Sequence, residues 1–231
     1  MRTIGLVGGM SWESTAVYYR LINEGVKARL GGLHSARCVL YSVDFGEIEA
    51  DRHAGGWPAI APALVRAALA VESAGADLVL LCTNTMHRLA GDIQAALHVP
   101  FLHIADATAA AIQARGFTKV GLLGTRFTME EDFYVGRLTR LHGLEVLIPS
   151  APERETVHRV IYDELCLGHL RADSRAAYRQ TIERLAGQGA QGIILGCTEI
   201  GLLVKPEDSP VPLFDTTELH ALAAVDEALR A

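Results

Sequence analysis

Basic residues are the minority among the charges of this chain: 21 Lys and Arg stand against 27 Asp and Glu, a formal net charge of −6 over 231 residues. A nucleic-acid backbone demands a basic face, so this balance argues against a nucleic-acid binder. Cysteine is also scarce. Its four positions, Cys38, Cys82, Cys166 and Cys197, form no Cys-x-x-Cys pair and no pattern with paired histidines, which leaves neither a zinc site nor a disulfide framework. The nine histidines form no metal set. No apolar run approaches the roughly 20 residues that a membrane span needs, and the short apolar stretch after Met1-Arg2-Thr3 falls short of a signal-peptide core. The expectation is a cytoplasmic protein with free thiols and no membrane partner. Half of the residues are hydrophobic, so the chain is not intrinsically disordered, and it is long enough to bury a core as one large domain or two small ones.

What is present is an alternation. Short β-branched or Leu-rich runs recur at 3–7, 37–43, 78–82, 101–104, 119–123, 145–148, 192–195 and 211–214. Several are almost wholly apolar, as strands covered on both faces should be. Between them lie Ala-rich stretches of helical period at 57–73, 86–96, 107–114, 130–141, 153–167 and 172–188. Strand followed by helix, repeated, reads as a parallel, doubly wound α/β architecture.

An internal repeat divides that architecture in two. Ile4-Gly5-Leu6-Val7-Gly8-Gly9 matches Val120-Gly121-Leu122-Leu123-Gly124-Thr125 at an offset of 116, and residues 75–83 match 189–197 without a gap at an offset of 114. Val99-Pro100-Phe101-Leu102, followed by Asp106, echoes Val211-Pro212-Leu213-Phe214, followed by Asp215. Three matches in one order predict two pseudo-symmetric α/β domains, each with about four parallel strands. The first takes residues 1–106 plus 215–231 and the second takes 107–214. Open α/β sheets bind ligands at the C-terminal ends of their strands, so the site is expected in the cleft between the two domains.

The residues after the apolar runs carry the chemistry. The third strand of each half ends in a small polar cluster: Cys82-Thr83-Asn84-Thr85 in the first, Gly196-Cys197-Thr198-Glu199 in the second. The repeat makes Thr83 equivalent to Cys197, and Thr85 to Glu199. A thiol opposite a hydroxyl suggests two groups addressing two faces of one atom. A thiol serves as a base once deprotonated, and the start of a following helix favours the thiolate. Cys38 and Cys166 read as small buried hydrophobes. Cys82 sits one residue too early, and neighbouring strand residues point to opposite sides. Gly8-Gly9-Met10-Ser11 either opens a helix whose backbone amides cradle an anion, with Gly9, Met10 and Ser11 as the binding residues, or is only a tight turn. It is not a dinucleotide fingerprint, because Gly5, Gly8 and Gly9 do not fit Gly-x-Gly-x-x-Gly. Asn84, Thr85, Thr125 and Thr198 add donors at strand ends. Arg52, in the polar stretch Asp51–Gly56, is either a bidentate clamp for a carboxylate or a solvated loop residue. His87 reads as a structural or supporting group, and Asp215 with Thr216-Thr217 as the cap of the last helix.

Residues 81–87, Leu-Cys-Thr-Asn-Thr-Met-His, and residues 196–199, Gly-Cys-Thr-Glu, resemble the two signature sites of the cofactor-independent aspartate/glutamate racemases. The opening stretch from Ile4 to Thr15 is similar to that family's N-terminus, and the likeness spans the whole chain. Glu199, where glutamate racemases usually carry His, points to the aspartate-racemase branch. Thr83 stands where the family usually has its first catalytic Cys, which resembles the subgroup of L-aspartate/glutamate-specific racemases that pair a Thr with a Cys.

The resemblance implies racemisation of an acidic amino acid at Cα without pyridoxal phosphate or any other cofactor. Cys197 would be the base and Thr83 the proton donor. Because a Thr alkoxide is far too basic to form readily, the pair should be lopsided and favour one enantiomer. The resemblance also implies a homodimer. Aspartate racemases tend to carry a basic residue near the stretch 164–168, and none of Glu164-Leu165-Cys166-Leu167-Gly168 is basic. The open alternatives are another amino-acid substrate, a decarboxylase or isomerase of the same superfamily, and a non-catalytic amino-acid-binding protein.

Overall fold

The computed structural model of the chain describes residues 1–230. The chain divides into two compact units, one built from Met1–Ile104 together with the segment that begins at His220, the other from Ala105–Leu219. Each unit contains one sheet of four parallel strands.

In the first unit the strands are β1 (Ile4–Gly8), β2 (Cys38–Ser42), β3 (Leu78–Leu81) and β4 (Phe101–Leu102), in spatial order β2-β1-β3-β4. In the second they are β5 (Lys119–Gly124), β6 (Glu145–Leu147), β7 (Ile193–Gly196) and β8 (Leu213–Asp215), in order β6-β5-β7-β8. The repeat is thus a repeat of topology. It extends to register: Val79 of β3 pairs with Phe101 as Ile193 of β7 pairs with Leu213.

The central strands are apolar because both faces are covered, and every residue of β1, β3 and β7 is buried. The strand period of two sends their side chains alternately into two layers. Ile4, Leu6, Leu78, Leu80 and Cys82 pack with Tyr18, Ile22 and Val26 of α1 (Trp12–Leu30) and with Ala221, Ala224, Val225 and Ala228 of the last helix (Thr216–Leu229). Val7, Val79 and Leu81 pack instead with Ile48 of α2 (Phe45–Gly55), Ile60, Leu64 and Val71 of α3 (Trp57–Ser73) and Ile93 of α4 (Ala90–Ala96).

The second unit carries α5 (Ile104–Ala114), which starts at the last residue of the first, then α6 (Arg126–Glu130), α7 (Val135–His142), α8 (Ala151–Asp163), α9 (Ala172–Gly187) and α10 (Ile200–Leu203); the last helix, running from Thr216 into the first unit, is α11.

Four stretches differ from the sequence expectation, the first being 86–96, where only Ala90–Ala96 is α-helix and a 3-10 turn over Thr85–Leu89 precedes it. Residues 51–55 are not a loop but the end of α2, which Asp44 caps by accepting the Gly46 amide (2.8 Å) and which Gly56 ends at φ 69°. That helix buries only Ile48, so it shows no apolar stripe. The helix expected over 130–141 is broken into α6 and α7. Between them Asp132 accepts both guanidinium arms of Arg140 (2.7 and 2.6 Å), and Gly136 leaves room for that carboxylate. The helix expected over 153–167 stops at Asp163; a 3-10 turn at Leu165–Leu167 follows and ends at Gly168 with φ 74°.

The glycines of β1 and β5 correspond in role as well as position. A Cβ on Gly5 would lie 2.8 Å from the Ala76 Cβ, and one on Gly121 2.6 Å from the Ile193 side chain. We expect Gly5→Ala to cost about 1–3 kcal/mol, since the added methyl would also meet the Val71 side chain at 3.0 Å and the Leu78 carbonyl oxygen at 3.2 Å. By contrast Gly91→Ala, in α4 with open space at its Cβ, should stabilise by about 0.5–1 kcal/mol. Urea unfolding midpoints of the two variants check both signs.

Candidate active site

The first unit contributes two strand ends. After β1, a Cβ on Gly8 would collide with the Thr15 side chain, and one on Gly9, which sits at φ +96°, would lie 2.2 Å from the Val43 carbonyl oxygen. These glycines let the chain pass close to α1 and to the end of β2. The Gly9 amide donates to Thr15 Oγ1 at 2.9 Å, and Thr15 Oγ1 in turn donates to the Ser11 carbonyl at 2.9 Å. Ser11 caps α1, its hydroxyl accepting the Ser14 amide at 3.2 Å, and the Met10–Ser11 peptide is cis. The Met10 side chain is buried in the core beside Ile48 and Ile60. The Gly9 amide is thus held by Thr15, and the Met10 side chain serves packing.

At the end of β3, Cys82 faces the α1 and α11 layer as strand alternation requires, and it is wholly buried. Burial pushes its thiol far above the ordinary range. Its amide still pairs with the Val7 carbonyl (2.8 Å), but the next amide, of Thr83, turns back to the Leu81 carbonyl (2.9 Å), and there the chain leaves the sheet. Thr83, Asn84 and Thr85 are all buried polar residues. A 3-10 turn over Thr85–Leu89 follows, and within it His87 Nδ1 donates to the Thr83 carbonyl at 2.6 Å.

Arg52 is the other expected contributor of this unit. It lies on α2, not in a loop, and its guanidinium pairs with both oxygens of Glu49, Nε–Oε1 at 3.0 Å and Nη2–Oε2 at 2.6 Å. It also stands 5.8 Å from the Trp57 ring centre.

In the second unit the end of β7 lies against the end of β5. Gly124 and Gly196 are register partners, and a Cβ on Gly124 would come within 2.9 Å of the Gly196 carbonyl oxygen. Thr125 caps α6, accepting the Thr128 amide at 3.3 Å and sharing a hydrogen bond with the Thr128 hydroxyl at 3.1 Å. Cys197, Thr198 and Glu199 are buried together. The Cys197 thiol donates to Glu199 Oε2 at 2.9 Å, and the Thr198 hydroxyl donates to the same oxygen at 2.7 Å.

This arrangement favours the thiol over the thiolate. Burial raises the Cys197 thiol well above its ordinary range, and the negative charge of Glu199 raises it further; only the Glu199 amide works in the opposite direction. The helix that follows, α10, is a single turn of four residues, too short to offset this. The resting group is a thiol whose proton already points at a carboxylate.

Sequence reasoning missed the neighbourhood of Cys197. Cys166, read as core, is half-buried and lies within electrostatic range of Cys197, and both act on the Tyr178 hydroxyl together with Glu164. Tyr178 donates to the Val157 carbonyl at 2.9 Å, and Ser174 donates to Glu164 at 2.6 Å. Residues 31 positions apart in the chain carry no shared motif that could have announced this. Asp215 caps α11 as expected, accepting the amides of Thr217 (2.9 Å) and Glu218 (3.3 Å). Among the described residues no group of three His, Cys, Asp or Glu is placed to hold a metal ion, and no helix is long and apolar enough to cross a membrane.

Comparison with known proteins decides the family. The model of the Asp/Glu/hydantoin racemase family matches residues 7–224. The chain belongs to this family. Among solved structures, a candidate Asp/Glu racemase from Yersinia pestis is 58% identical with a TM-score of 0.93, covering 100% of both chains. An aspartate racemase homologue from Pyrococcus horikoshii OT3 is 36% identical with a TM-score of 0.86, again covering 100% of both. The broad specificity amino-acid racemase RacX of Bacillus subtilis is 29% identical over 72% of this chain and 71% of its own length. The two four-stranded parallel sheets are the two-domain α/β fold of the racemases, and the protein is an isomerase of the racemase type.

The Cys197–Glu199 contact makes a prediction with a definite sign. Glu199→Gln removes a negative charge that raises the thiol, so Cys197 should ionise at lower pH in the variant than in the wild type. Thiolate absorbance across a pH series, taken as the difference from Cys197→Ser, measures it. A midpoint that stays in place or rises would show that the carboxylate does not control the thiol.

Proposed function

We propose that the protein racemises an acidic amino acid at Cα by two-base proton transfer, with Cys197 as the base toward the L-enantiomer and Thr83 as the proton donor. The observation that carries this reading is the 2.9 Å bond from the Cys197 thiol to Glu199. Passing that proton to Glu199 generates the thiolate when substrate is bound, and the thiolate removes the α-proton. The Thr83 hydroxyl then protonates the carbanion from the other face as it takes a proton from water, so that no free alkoxide is left, and Glu199 gives its proton back to water, which restores the starting state. Donors at the end of β3, Asn84 and Thr85, are suited to stabilise the enolate-like charge that develops on the substrate carboxylate.

The lopsidedness expected of the Thr and Cys pair takes a narrower form. The two enantiomers have equal free energy in water, so kcat/KM must be the same in both directions. Unequal bases therefore show in kcat and KM taken separately.

Support for an acidic substrate comes from the family and from the aspartate-racemase homologue at 36% identity. A second reading, a wider range of amino acids, is favoured by one observation: Arg52, the expected side-chain carboxylate clamp, is already held by Glu49. The broad-specificity relative is in keeping with it.

Incubation of single enantiomers in D2O without added cofactor tests the proposal. Inversion of L-aspartate or L-glutamate with deuterium at Cα is the expected result; release of CO2 would mean a decarboxylase, and no reaction a binding protein. Thr83→Ala should lose inversion by about 100-fold or more while Cys197 still exchanges the α-proton of the L-enantiomer. Cys197→Ser should lose both, and full exchange in that variant would sink the base assignment. Running leucine, arginine and lysine beside aspartate and glutamate separates the two substrate readings.

A further inference from the structure

We propose that His87 is a positioning residue for Thr83, holding its carbonyl to the junction where the chain leaves the first unit, a role that rests on the reading of Thr83 as proton donor. His87 is 1% exposed and uses both ring nitrogens on backbone groups. Nδ1 lies 2.6 Å from the Thr83 carbonyl oxygen, and Nε2 lies 3.2 Å from the Ile104 amide nitrogen. A carbonyl can only accept and an amide N–H can only donate. The pair of bonds therefore requires the neutral ring with its proton on Nδ1. No other charge or tautomer state makes both.

The two anchors are informative. Thr83 is the second residue after β3, at the point where the Cys82 amide still pairs with Val7 and the Thr83 amide has turned back to Leu81. Beyond that point the strand ladder no longer holds the chain, so the Thr83 carbonyl needs another partner. Ile104 begins α5 and is the last residue of the first unit before the chain enters the second. The imidazole is a cross-link between the proton-donor turn and that exit.

The cross-link sits in a supporting stack. His103 packs edge-on to His87 with ring centres 4.5 Å apart, and Phe101 and His220 lie at 5.6 and 5.8 Å. His220, the first residue after the chain returns to this unit, donates from Nε2 to the Leu102 carbonyl at 2.9 Å, and its Nδ1 faces the Tyr18 hydroxyl at 2.9 Å. The exit and the return of the chain are thus fastened to each other, and His87 fastens Thr83 to the exit.

The test compares three substitutions that sever different bonds. His87→Asn keeps a donor near the Nδ1 position and so retains the Thr83 bond; His87→Gln keeps an acceptor near Nε2 and retains the Ile104 bond; His87→Leu loses both. In D2O, the ratio of α-deuterium exchange in L-aspartate to inversion reports whether the Thr83 half of the reaction has failed while Cys197 still works. His87→Leu should raise that ratio and lower kcat by about 10- to 100-fold with KM within a few-fold. His87→Asn and His87→Gln, each keeping one end of the tie, should fall between His87→Leu and the wild type. A kcat as high as the wild type's in either would show that the tie between Thr83 and Ile104 does not position the donor.

Thr83→Ala is run alongside. If it leaves the ratio unchanged, the donor reading and the positioning role both fall. If it raises the ratio while His87→Leu does not, only the positioning role falls. Nitrogen NMR of histidine-labelled wild-type protein is the check that needs no variant: His87 should show a protonated Nδ1 and a bare Nε2, and a protonated Nε2 would overturn the proposal.

Discussion

Burial on both faces of a parallel sheet is the constraint from which the rest follows. A strand covered by helices above and below has no place for an unpaired polar side chain, so β1, β3 and β7 are apolar throughout. Polar chemistry can appear only where the ladder stops. In β3 the ladder continues to the Cys82 amide and breaks at Thr83; in β7 it runs to Gly196 and gives way at Cys197. All strands of a unit run parallel, so these breaks fall at one end of each sheet. Thr83, Asn84 and Thr85 in one unit and Cys197, Thr198 and Glu199 in the other are consequences of that stop.

Glycine makes the stops compact. Gly8 and Gly9 bring the end of β1 against Thr15 and Val43, and Gly124 and Gly196 let β5 and β7 approach where a side chain would collide with backbone. The Gly9 amide is spent internally, on Thr15. A glycine-rich turn after a strand is thus as much a packing device as an anion site, and hydrogen-bond partners decide which it is.

Protonation is set by the same enclosure. A thiol buried beside a carboxylate keeps its proton, and the carboxylate that raises it is also the nearest acceptor for that proton. Cys38 is pushed up by burial, to about 11, and Cys82 is buried among aliphatic side chains. The difference between an inert cysteine and a candidate base here lies in the neighbour two residues on.

Much of the fold was legible in the chain itself, because apolar runs, helical periodicity and a repeat of 114 to 116 residues are local records of burial. The pairing of Thr83 with Cys197 as equivalents came from the repeat, and the exclusion of Cys82 from strand alternation. Helix α2 was not legible, since one buried residue leaves no stripe, nor was the break between α6 and α7, which depends on Arg140 reaching Asp132. The sequence by itself determined which residues stand at the ends of the strands. Only the tertiary structure decided what those residues do there: that the Gly9 amide is spent, that Arg52 is held by Glu49, that Cys197 rests as a thiol against Glu199, and that His87 ties Thr83 to Ile104. The reason is that position along a strand follows from local pattern, whereas protonation and hydrogen-bond partners depend on groups brought together from distant parts of the chain.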